Sequence, residues 1–106
     1  MRKGSARTTH AAVTTGSAVT HRCEGYNALL VHHVISGAAT GGYVSLKMGP
    51  AADGPFVAHH GEGTNIKTAD VAVSYTALFK GIMDHVEIAL ARTDGTHTVT
   101  VQALNL

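Results

Sequence analysis

Eight histidines are the unusual chemical inventory of this 106-residue chain: His10, His21, His32, His33, His59, His60, His85 and His97. The first chemistry they suggest is metal ligation, which needs three or four nitrogens or thiolates converging within about 2.0–2.3 Å of one ion. The spacing argues against it. Adjacent residues on a strand point to opposite faces, so His32-His33 and His59-His60 each offer at most one ligand to any site. There is no His-x-His, no helical His-Glu-x-x-His and no cysteine pair. No metal or other cofactor is therefore assigned, and the histidines are read as solvated or structurally paired. The chemistry left to them is protonation, because several histidines charging together near pH 6 would make a pH-sensitive interface.

Other reactive residue types lack the context their chemistry requires. Ser, His and Asp are all present, but no Gly-x-Ser-x-Gly elbow marks a nucleophile, so no catalytic residue is assigned and the chain is read as non-enzymatic. Gly37–Gly42 lacks the Gly-Lys-Ser/Thr ending of a phosphate loop, and Gly61-Glu62-Gly63 sets an acid where a phosphate would sit. Both are read as turn glycines. Cys23 is alone, which excludes an internal disulfide and fits synthesis in a reducing compartment, with the thiol a small residue in or near the core. Sugar binding on a β-scaffold usually relies on aromatic platforms, yet Trp is absent and aromatics are 5% of the chain. Single-strand nucleic-acid binding needs those same aromatics beside a basic groove, and the formal net charge is only +1. No nucleic-acid partner is expected. No apolar run approaches the ~20 residues of a membrane span, and the start, MRKGSARTTHAAV, has cations but no apolar segment behind them. Synthesis in the cytoplasm without a membrane anchor is the expectation.

The elements that would position these residues are strands. Asp84 to Leu106 is the clearest stretch. Asp94-Gly95 is a strong two-residue turn signal, and counting outward sets Thr93 opposite Thr96, Leu90 opposite Val99, Ile88 opposite Val101 and Val86 opposite Ala103 on one dry face. Ala91/Thr98, Ala89/Thr100 and Glu87/Gln102 fall on the other face, and His97 sits opposite Arg92. A slip of one residue would destroy that segregation, so a C-terminal hairpin is expected with Val86, Ile88, Leu90, Val99 and Val101 in the core.

Upstream, Tyr26–Ile35 is an apolar strand interrupted by His32 and His33. Val44, Leu46 and Met48 alternate with polar neighbours as in a half-buried strand. Gly49-Pro50 and Asp53-Gly54-Pro55 bracket a loop before Phe56-Val57-Ala58, and short strands are expected near Asn65–Thr68 and Val71–Thr76. Leu78, Ile82, Val86 and Leu90 also recur at helical spacing, but Gly81 interrupts that helix; a helical turn at Ala77–Ile82 would satisfy both patterns. Val13 and Val19 can support two short strands around Gly16-Ser17. The expected fold is an all-β antiparallel sandwich or jelly-roll-like barrel of six to eight short strands, with residues 1–12 a flexible arm and 13–106 the β-sandwich domain.

Charged residues make up only 14% of the chain, against about 25% in an ordinary soluble domain. A surface of Ala, Thr, Ser and Gly is prone to association, which suggests cover by other subunits. Residues 37–57, GAATGGYVSLKMGPAADGPFV, and the closing THTVTVQALNL carry a resemblance consistent with that. Gly41-Gly42, Val44, Leu46, Asp53-Gly54, Phe56 and Thr98–Val101 stand where small bacteriophage virion proteins have a Gly-rich turn, a Val-x-Leu strand, an Asp-Gly loop, an aromatic and a final Thr/Val strand. Over roughly Tyr26–Leu106 the chain resembles that group. The resemblance implies a virion building block: a capsid decoration or cement protein, or alternatively a head–tail or tail-fibre adaptor. It implies a homo-oligomer whose partners are other virion proteins, either the major capsid protein or tail and connector proteins. Arg2, Lys3, Arg7 and Val13 of the amino-terminal arm are then the expected inter-subunit contacts. A ligand-binding β-sandwich, for carbohydrate or for metal through histidine, is the reading from a different class.

Overall fold

The computed structural model describes residues 2–36, 43–58, 65–67, 74–91 and 95–106. Among them run nine strands: β1 (Arg7–Val13), β2 (Ser17–Arg22), β3 (Ala28–Ser36), β4 (Tyr43–Gly49), β5 (Val57–Ala58), β6 (Asn65–Lys67), β7 (Tyr75–Lys80), β8 (His85–Leu90) and β9 (Thr96–Leu104). They form two antiparallel sheets. The first has the order β1-β9-β3-β7; the second has the order β2-β8-β4-β5, with β6 also on β4. The β-sandwich expected from sequence is the observed architecture, with β5 and β6 short enough to bring the count above the expected range.

The expected C-terminal hairpin does not form. β8 pairs with β2 and β4, placing Leu90 beside Ser17 and Val44, whereas β9 pairs with β1 and β3, placing Val99 beside His10 and His33. The two strands belong to opposite sheets. Their alternation was nonetheless read in the right phase: Val86, Ile88, Leu90, Val99, Val101 and Ala103 are all buried in one apolar cluster with Cys23, Leu29, Val31, Val44, Leu46 and Phe79. A period of two fixes which face of a strand is dry. It does not distinguish strands lying side by side from strands facing each other across the interior, about 10 Å apart. Gly95 adopts φ +81°, as a turn glycine should, but Asp94, Thr93 and Arg92 lie outside the described residues.

The helical alternative over residues 76–91 is also resolved. Tyr75–Lys80 is strand and His85–Leu90 is strand, so no helical turn forms at Ala77–Ile82. Gly81, at φ +69°, breaks the chain between the two sheets, and its N–H donates to the Asn27 carbonyl. The strands expected around Gly16-Ser17 are β1 and β2, again in opposite sheets. The Gly37–Gly42 turn, the histidines at 59 and 60, the Gly61–Gly63 loop and the first part of the Val71–Thr76 strand lie outside the described residues.

Residues 2–12, expected as an arm, run along β9. Gly4 N–H donates to Ala103 O, Asn105 N–H donates to Arg2 O, and Lys3 bridges Leu104. β1 then continues as the edge strand of its sheet with two register irregularities, after Thr8 and after His10. Ala12 sits at φ +48°, a left-handed conformation that costs a non-glycine residue roughly 1 kcal/mol or more.

Candidate functional site

The inner face of the four-stranded sheet is read best in rows across β1-β9-β3-β7. The rows nearest the β3 amino terminus are apolar: Ala103, Leu29 and Phe79, then Val101, Val31 and Ala77. The next row is His10–Val99–His33–Tyr75, and beyond it come Val13–His97–Ile35. One end of the sandwich interior is thus hydrocarbon and the other is lined by histidine. His10, His33 and His97 are all buried, the last two completely.

These rings are wired together. His33 Nε2 lies 2.8 Å from His97 Nδ1, and His33 Nδ1 lies 2.8 Å from the Tyr75 hydroxyl. The Tyr75 ring meets His33 edge-on at 5.0 Å between centroids. Tyr75 also reaches across the interior to the backbone of Val44 on β4. His10 Nε2 makes a second cross-sheet contact, 3.1 Å from Ser17 O on β2, while its Nδ1 is 2.9 Å from the Thr9 hydroxyl. One assignment serves every contact in one direction. The Val44 N–H donates to the phenol oxygen, Tyr75 O–H donates to His33 Nδ1, and His33 Nε2–H donates to His97 Nδ1. A direct nitrogen–nitrogen hydrogen bond requires that exactly one of its two atoms carry the proton, so the pair depends on a neutral imidazole.

Burial, followed by the neighbouring His97 and His10, pushes His33 down to about 4. Burial raises the Tyr75 phenol to about 12, against the opposing effect of the Val44 backbone. His21, at the inner edge of β2, is lowered by burial and then by the Arg7 guanidinium 3.4 Å away. Two hydrogen-bonded ring nitrogens 2.8 Å apart are closer than two ligands of one tetrahedral ion, which sit about 3.3 Å apart at normal bond lengths. The described residues contain no group of three or more ligating side chains arranged to hold a metal.

The histidines carry the polar organisation; the sequence reading allowed them to be structurally paired but did not say which rings meet. A signal was available, since His97 falls in phase with Val99 and Val101, and His33 in phase with Val31 and Ile35. What periodicity could not supply was that β9 lies between β3 and β1, with His97 opposite Ile35 on one side and Val13 on the other.

The residues expected at inter-subunit contacts are placed as follows. Arg2 stacks over Tyr26 at 4.7 Å and donates to Gly25 O. Arg7 bridges the sandwich edge by donating to Thr20 O on β2 at 2.9 Å. Val13 packs against the core, and Lys3 is exposed. Arg2, Arg7 and Val13 each make a contact within the chain. The outer face of the same sheet presents a nearly uncharged row, Thr8–Thr100–His32–Thr76, beside Val34, Leu30 and Leu78. Cys23 is fully buried and burial pushes its thiol up to about 12.

No protein-family model matches the chain, and no curated protein matches its sequence. Among solved structures, the crystal structure of the SPBc2 prophage-derived protein YomS is similar at a TM-score of 0.68 with 18% sequence identity. The match covers 96% of this chain and 92% of that one, so the two share a β-sandwich fold over nearly their whole lengths.

Proposed function

We propose that this chain is a non-enzymatic structural protein of a bacteriophage particle, a β-sandwich building block of the capsid-decoration type that acts through contacts with its own copies and with the major capsid protein. The observation that carries the reading is the likeness in fold, across nearly all of both chains, to a prophage-derived protein. The surface supports it. With 14% charged residues and an outer sheet face built of Thr, Val, Leu and His, desolvation on assembly costs little compared with an ordinary charged surface. On this reading the chain is made in the host cytoplasm and ends in the virion.

Density-gradient-purified particles from a phage encoding this chain, separated into heads and tails and quantified by mass spectrometry, test the proposal. Many copies per head are expected. Recovery with tails alone would move the protein to an adaptor role, and absence from both fractions despite expression would overturn the structural reading.

A further inference from the structure

The two sheets are joined in different ways at their two ends. Away from the histidine rows the buried contact is hydrocarbon, with Arg7 on β1 reaching Thr20 O and His21 on β2 at the sandwich edge. At the other end two polar contacts cross between the sheets within the histidine rows, Tyr75 to the Val44 backbone and His10 to Ser17 O. His33 is the hub. Both of its ring nitrogens are spent on neutral partners, Tyr75 Oη and His97 Nδ1, and its side chain is fully buried. β1, which His10 helps to pin, is the element least able to hold itself, being an edge strand with two irregularities and a left-handed alanine.

We propose that the Tyr75–His33–His97 network, with His10 beside it, is an acid-sensitive latch that ties the two sheets together while neutral and lets this end of the sandwich open when His33 takes up a proton.

The groups facing the network decide the sign. β1 contributes His10, β9 contributes His97, β7 contributes Tyr75 and β2 contributes the Ser17 carbonyl, whereas Arg7 and His21 meet further along the edge, in the rows of Val101 and Val86. β4 and β8 turn Val44, Leu46, Ile88 and Leu90 inward. The described carboxylates point elsewhere: Glu24 pairs with Arg22, Glu87 lies on the outer face beside Lys47, and Asp53 and Asp84 are exposed. A proton on His33 thus adds positive charge beside His97 and His10 in a desolvated interior, where an unpaired charge is costly. His33 is held about 4 when folded, against about 6.5 in an unfolded chain. Its neutral form is the stabilised one, so its contribution is complete above pH ~6.5 and is lost as pH falls towards 4. One proton taken up on opening weakens the closed state about tenfold per pH unit through that window.

The test is an NMR titration of the intact chain, with 15N-labelled histidine, from pH 7.5 to 4. His33 should stay neutral well below the ordinary histidine value of about 6.5, and its protonation should coincide with broadening or loss of amide signals from Thr9–Val13 and Thr96–Val99 while those of Leu29, Val31 and Val101 persist. Uptake of a proton by His33 near the ordinary histidine value of about 6.5, with the β1 and β9 amides unchanged, would overturn the latch. His33→Gln, whose amide can meet the same two partners without titrating, should lose about one proton's worth of acid sensitivity in urea melts between pH 6 and 4. A wild-type pH profile in that variant would also overturn it, and if the variant fails to fold the wild-type titration decides alone.

Discussion

At His33 a polar ring occupies a position that the strand period assigns to the core, and it is tolerated there because both nitrogens find partners on neighbouring strands. Tyr75 and His97 satisfy it only because β7 and β9 lie close to β3, Tyr75 directly across and His97 one row away. Cys23 is the contrasting case, a buried group that asks for little. Its thiol has no exposed surface and is pushed up to about 12, so almost none of it is thiolate at neutral pH. A disulfide reagent such as Ellman's should leave the native protein unlabelled over hours at pH 8 and label one thiol per chain within minutes in denaturant. Rapid labelling without denaturant would show that the interior near Cys23 opens readily. The placement of Cys23 in the core was legible in the sequence from residue type. The partnership of the histidines was not, because it joins residues 42 and 64 positions apart.

Among the elements, the loop between β4 and β5 shows how backbone proximity sets a residue. A Cβ added at Gly49 would come within 2.5 Å of the Pro55 carbonyl oxygen, backbone that cannot step aside without moving the loop. At Gly81 an added Cβ meets nothing within 4 Å, and only its φ of +69° objects. Gly49→Ala is therefore expected to cost about 2–3 kcal/mol and Gly81→Ala about 1 kcal/mol, measured by urea denaturation. Equal losses would mean that the loop yields without cost. The sequence marked Gly49 as the start of a loop and Gly81 as the interruption of a helix, and it supplied the phase of β4, β8 and β9. It misassigned the connection from β8 to β9, because a turn-like dipeptide and two alternating strands describe an arch between sheets as well as a hairpin within one.

For the whole molecule the governing feature is that the chain repeatedly changes sheets: β1 to β2, β2 to β3, β3 to β4, β6 to β7, β7 to β8 and β8 to β9 each cross the sandwich. Consecutive strands seldom pair, so most ladders join distant residues and loop-closure entropy is lost before they form. Refolding from urea should accordingly take milliseconds to seconds, followed by stopped-flow circular dichroism. Completion in microseconds would be incompatible with this topology. The sequence by itself determined the class of structure, the dry faces of β4, β8 and β9 and the shortage of surface charge, since these depend on residue type and on a period of two along one strand. Only the tertiary structure decided which strands are neighbours, that residues 2–13 run along β9, and that His10, His33 and His97 meet at one end of the interior. Those outcomes depend on long-range pairing, whose free energy is shared among residues far apart in the chain and leaves no local pattern to read.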